Sequence, residues 1–77
     1  MKIKLDRIDD VLRYLKGLHG FTKIENKSGN QVKHEFTDGL VVNVYTTTGS
    51  IVFQGDNIDG DIANRIKNNI QPWLIDS

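Results

Sequence analysis

Leu5, Ile8, Val11, Leu12, Leu15 and Leu18 recur at the i, i+3, i+4, i+7 spacing of a single helix face. Asp6, Asp9 and Asp10 suit the positive N-terminal end of such a helix, and Lys16 suits its other end. Gly17 and Gly20 supply the stop, so the pattern predicts a first helix over residues 6–17. From Phe21 the period drops to two. Four β-prone runs follow, Phe21–Asn26, Gln31–Phe36, Leu40–Thr46 and Ser50–Gln54, parted by Lys27-Ser28-Gly29, Thr37-Asp38-Gly39 and Thr47-Thr48-Gly49. Short separators that each end in glycine predict a meander of antiparallel hairpins.

Turn chemistry assigns the faces. A strict two-residue Asp-Gly loop at the second hairpin would split the apolar residues over both sides of the sheet. A three-residue loop with Gly39 in the left-handed region pairs Phe36 with Leu40, His34 with Val42 and Val32 with Val44, and makes one face apolar. The same reasoning at Gly29 pairs Ile24 with Val32, and an even-numbered loop around Thr48-Gly49 keeps Ile51 and Phe53 beside Val42 and Val44. The expected inner face is Ile24, Val32, His34, Phe36, Leu40, Val42, Val44, Ile51 and Phe53. The expected outer face carries Phe21, Lys23, Glu25, Gln31, Lys33, Glu35, Val41, Asn43, Tyr45, Val52 and Gln54.

After Gly55, the stripe Ile58, Ile62, Ile66, Ile70 with Ala63 predicts a second helix, with Asn57 and Asp59 as candidate caps. Pro72 ends it, because proline lacks a donor and disfavours helical geometry in the residue before it; Trp73 and Leu74 are then expected at the edge of the core. The order is α-β-β-β-β-α. The expected fold is a single α+β domain over residues 1–77: a four-stranded antiparallel meander with both helices on one face and the other face open.

Composition narrows what such a domain can do. The 77 residues are 38% apolar with seven glycines, ordinary for a globular chain, and there is no cysteine for a disulfide, a thiolate metal site or redox chemistry. Ten bases balance ten acids, which excludes a simple polycation. The balance is uneven along the chain. Through residue 33 eight bases meet four acids, a net +4, and thereafter two meet six, a net −4. A bipolar chain can steer an anionic partner to one end, although most such charges simply solvate a surface. No stretch reads as a signal or membrane span, and Asn26-Lys27-Ser28, a formal glycosylation sequon, has no export signal to give it meaning, so a cytoplasmic location is expected, in the chain's own cell or a host's.

Candidate chemistry is sparse. His19 and His34 fall in different elements, and His34 is assigned to the inner face, where a packed, hydrogen-bonded histidine is the ordinary outcome. Asp56-Asn57-Ile58-Asp59-Gly60-Asp61 looks like a calcium loop, but aligning Gly60 with the loop's glycine puts Gly55 and Ile66 at ligand positions, so an acid-rich helix start is the better reading. No catalytic constellation, metal site or cofactor motif emerges, and a non-enzyme is expected. The informative surface is the open face, where Phe21, Lys23, Lys33, Val41, Asn43, Tyr45, Val52 and Gln54 form the candidate binding set. Rings stack on bases, amides bond base edges and lysines meet phosphates; the same inventory suits a protein interface with aromatic anchors. The edges of the first and last strands also leave room for pairing into a homodimer.

The run Val44-Tyr45-Thr46-Thr47-Thr48-Gly49-Ser50-Ile51-Val52-Phe53-Gln54-Gly55 resembles the strand-turn-strand segment of the N-terminal substrate-binding domain of bacterial ribonuclease HIII, and similar segments of other TATA-binding-protein-like domains. The shared features are an apolar-Tyr strand, a Thr/Ser-Gly turn, and an apolar strand closing in Phe-Gln-Gly before a helix. The resemblance implies a curved sheet backed by helices and nucleic-acid binding through its open face, here by Val41, Asn43, Tyr45, Val52 and Gln54. Ser50 stands where such turns often carry a lysine or arginine. The alternative is a small protein inhibitor or adaptor, of the type phages and mobile elements use, that blocks a nucleic-acid-processing or defence protein.

Overall fold

A computed structural model describes residues 1–75. A 3-10 turn (Leu5–Arg7) leads into α1 (Ile8–Lys16); β1 (Phe21–Lys27), β2 (Gln31–Phe36), β3 (Leu40–Tyr45) and β4 (Ile51–Gly55) follow, then α2 (Asp61–Asn69) and a 3-10 turn (Gln71–Trp73). The strands lie in sequence order in one antiparallel sheet. The α+β meander expected from the periodicity is the fold observed. No helix among the described residues is long and apolar enough to cross a membrane.

The core forms where the two helix stripes meet the inner sheet face. Val11, Leu15, Ala63, Ile66 and Ile70 are fully buried against Leu40, Val42 and Val44, with Phe36 and Ile51 nearly so. Asp9 and Asp10 in the first turn of α1 and Arg13 and Lys16 in its last complement the helix dipole. Tyr14 links the helical layer to the C-terminal turn. Its ring meets Trp73 edge-on at 6.3 Å, and its hydroxyl accepts a bond from Asn69 Nδ2 at 2.8 Å. Trp73 and Leu74 pack on the core's margin, as Pro72 implied.

Turn geometry sets the register. Gly39 has φ +87° and its N–H donates to the Phe36 carbonyl at 3.1 Å, giving the pairs His34–Val42 and Val32–Val44. At the next hairpin Val42 faces Phe53 and Val44 faces Ile51. The first hairpin differs: Ile24 lies opposite His34, not Val32. Ser28 (φ +52°) and Gly29 (φ +72°) both enter the left-handed region, which moves the turn one residue along the chain. Because the pairing shifts by two positions, each side chain keeps its face.

Other expectations need correction. Phe21 is not on the open face. A bulge at Thr22, where the register runs from Phe21–Phe36 to Lys23–Glu35, turns the Phe21 ring inward, 6.0 Å from Phe36 and 6.2 Å from His34. Leu5 and Ile58, placed in the helix stripes by spacing, lie in the turns preceding each helix and are exposed. Neither Asn57 nor Asp59 caps α2: Gly60 holds the N-cap, while Asn57 Nδ2 donates to the Asp38 carbonyl and pins this turn to the β2–β3 loop.

The sequence pattern also leaves out the role of the first four residues. Ile3 is fully buried; its N–H donates to the Gly49 carbonyl (2.7 Å) and the Ile51 N–H to the Met1 carbonyl (3.0 Å). On the other side Lys4 N–H reaches Trp73 O (2.8 Å) and Ile75 N–H reaches Lys2 O (3.0 Å). Residues 1–4 thus extend the sheet past the start of β4 and tie in the C-terminal segment. Gly49 (φ +79°) makes this possible, since a Cβ there would run into the Ile3 carbonyl oxygen.

Candidate binding face

The open face is a grid whose rows cross the strands. One row runs Lys23, Glu35, Val41, Gln54; the next Glu25, Lys33, Asn43, Val52; the third Lys27, Gln31, Tyr45. The third row continues past β3, because Tyr45 N–H bonds Ser50 O (2.9 Å) and Ser50 bridges to Lys2. Extended chain alternates, so with Ile3 buried in the core Lys2 projects to the open side. Lys2 is thereby a member of the face that the predicted set lacked. The Lys2-Ile3-Lys4-Leu5 alternation was its only signal.

The two halves of the grid differ chemically. Across β1 and β2 the side chains form an ion-pair lattice. Glu25 lies 3.7 Å from Lys23, 3.6 Å from Lys27 and 3.9 Å from Lys33, and Lys33 lies 3.9 Å from Glu35. The ammonium of Lys23 foremost, then that of Lys27, holds the Glu25 carboxyl below its ordinary pKa. Across β3 and β4 there is no charge: Val41, Asn43, Tyr45, Val52 and Gln54 make an aliphatic, amide and phenol strip.

Asn43 organises that strip. It is only 3% exposed although no helix among the described residues covers this side. Its Oδ1 accepts from Gln31 Nε2 at 3.1 Å and its Nδ2 donates to Gln54 Oε1 at 2.6 Å, so one amide ladder ties β2, β3 and β4 together. Both ends of the Asn43 amide are engaged, and the groups left at the ladder's ends are Gln31 Oε1 and Gln54 Nε2. Gln31 belongs to the face for this reason. Of the predicted set, Lys23, Lys33, Val41, Asn43, Tyr45, Val52 and Gln54 share the open face, and only Phe21 falls on the other side.

The opposite face centres on His34, wholly buried, with Nδ1 3.3 Å from the Val42 carbonyl oxygen and no partner for Nε2 among the described residues. Burial holds its pKa below the ordinary value, against the carbonyls of Val42 and Val32 that favour the proton, and Lys16 adds to the lowering. A neutral packed imidazole follows.

No family model matches the chain, and no curated protein or solved structure gives a significant match to it.

Proposed function

We propose that this chain is a non-catalytic binding module whose open sheet face takes nucleic acid. The amide ladder carries the reading: Asn43 holds Gln31, which lies across from Tyr45, and Gln54, two rows further along the sheet, in an uncharged strip. Lysines flank that strip, Lys27 and Lys33 on one side and Lys2 on the other. A base stacked on Tyr45 supplies about 1–3 kcal/mol with little sequence preference, glutamine amides bond base edges, and the flanking lysines reach phosphates. The likeness of residues 44–55 to the ribonuclease HIII substrate-binding domain supports the same surface.

A second reading has its own observation. Lys23, Lys27 and Lys33 all lie close to Glu25 or Glu35, so the charged half of the face is nearly neutral. Phosphate neutralisation supplies much of nucleic-acid affinity. A protein partner, blocked or bridged by the uncharged strip, fits that feature. Fluorescence anisotropy with labelled single-stranded, hybrid and duplex oligonucleotides at low salt separates the two. Binding that Tyr45→Ala weakens at least about fivefold supports the nucleic-acid reading. No shift with any oligonucleotide contradicts it, and a stoichiometric partner recovered from nuclease-treated extract then establishes the protein reading.

A further inference from the structure

The two edges of the sheet are treated differently. The β4 edge is occupied at its start by residues 1–4, whereas no segment among the described residues pairs with the outer edge of β1. Ile24 lies in the middle of β1 on the helix-covered side, yet it is 38% exposed, while its cross-strand neighbour His34 is fully buried. We propose that β1 pairs antiparallel with β1 of a second copy of this chain, about a two-fold axis at Ile24.

Charge and the exposed isoleucine together select that register; a centre at Asn26 would also pair Glu25 with Lys27 but would set Ile24 against Ser28. With Ile24 opposite Ile24, Lys23 of each copy faces Glu25 of the other, and Thr22 faces Asn26. Moving the copy to a centre at Lys23 opposes two lysines. A centre at Glu25 opposes two carboxylates and sets Lys23 against Lys27. A register centred between residues sets Lys23 against Ile24 and turns the second copy's helices to the other side of the sheet. Only the Ile24 centre joins opposite charges on the open face and buries the exposed isoleucine against its twin. The two-fold axis then stands perpendicular to the sheet, so the two open faces lie side by side on one eight-stranded surface. This pairing does not rest on what the open face binds.

A short strand-to-strand contact is a small interface, so the assembly is read over a wide concentration range. Sedimentation equilibrium without oligonucleotide, from about 1 μM to about 1 mM, is expected to show the mass rising from monomer towards dimer. Lys23→Glu, which sets two carboxylates together at each Lys23–Glu25 contact, is expected to move the midpoint up at least about tenfold. The chain has no cysteine, so oxidation gives a second readout. Directly opposed residues have Cα atoms about 4.5–5.5 Å apart, within disulfide reach. Ile24→Cys therefore links into a dimer, whereas Asn26→Cys, whose twin lies several residues away, does not. A chain that stays monomeric throughout overturns the proposal, as does a dimer indifferent to Lys23→Glu that cross-links as fast through Asn26→Cys as through Ile24→Cys.

Discussion

Among the described residues, the one buried polar side chain on the helix-covered face, His34, is fully enclosed with Nε2 unpartnered; on the open face Asn43 is nearly as enclosed, yet its amide is bonded at both ends. The covered face is held by apolar packing, with Leu15, Ile66 and Val42 out of reach of water, and it accommodates an imidazole by keeping it neutral. The open face has no such layer over it. Its order comes from hydrogen bonds and ion pairs within the surface, and Asn43 keeps the two glutamines in a fixed arrangement while leaving their outward groups available. One face stabilises the fold, and the other presents a surface.

Removing packing should therefore cost most. Ile66→Ala is expected to destabilise by about 2–5 kcal/mol in a urea titration, whereas Val52→Ala, at a position 37% exposed on the open face, should cost under about 0.5 kcal/mol. Similar losses at both positions would erase the distinction between the faces.

Asn43→Ala tests the amide ladder. Its removal frees Gln31 and Gln54 from their shared partner, and the expected cost is about 1–2 kcal/mol, because both glutamines can turn to water. Tyr45→Ala should leave the denaturation midpoint closer to wild type than Asn43→Ala does, while weakening oligonucleotide binding more. The reverse order would make Tyr45 a structural residue.

Acid separates the faces by group. The His34 pKa in the fold lies below its ordinary 6.5, so the unfolded chain binds the proton more readily. The stability from this group is complete above pH 6.5 and declines as pH falls from there towards the folded value. Glu25, also lowered, adds a loss in the same direction, but only below its ordinary 4.5. His34→Leu should flatten the stability profile between about pH 7 and pH 5, with little or no loss at pH 7, since it removes the unpartnered nitrogen along with the Val42 contact. A profile with the wild-type slope would place the titrating group elsewhere. The smallest effect is expected from Lys23→Ala, whose exposed ion pair should leave the urea midpoint unchanged.

Most of the architecture was legible because it is local. Periods of 3.6 and 2, and separators ending in glycine, define the two helices and the meander without reference to distant residues. The pairing of β2 with β3 followed from asking which loop gathers His34, Val42 and Val44 on one side. The misreadings have non-local causes. Phe21 changes face through a one-residue bulge at Thr22 that no period records, and the apolar ring beside Lys23 and Glu25 on one strand was its only trace. The docking of Met1–Lys4 against Gly49–Ile51 pairs segments nearly fifty residues apart, so Lys2 joined the face unannounced. The burial of Asn43 depends on the arrangement of the glutamines on two other strands, which a single strand's alternation does not encode.

Fluorescence anisotropy of a labelled single-stranded oligonucleotide, titrated with wild type and Tyr45→Ala across a salt series, tests the central claim most directly. The open face as a nucleic-acid surface requires saturable wild-type binding that falls with salt, with a log–log slope of about −2 for three lysine contacts at about 0.7 each. It also requires a loss of at least about fivefold for Tyr45→Ala. Equal affinities for the two proteins, or no binding by wild type at the lowest salt, would contradict it.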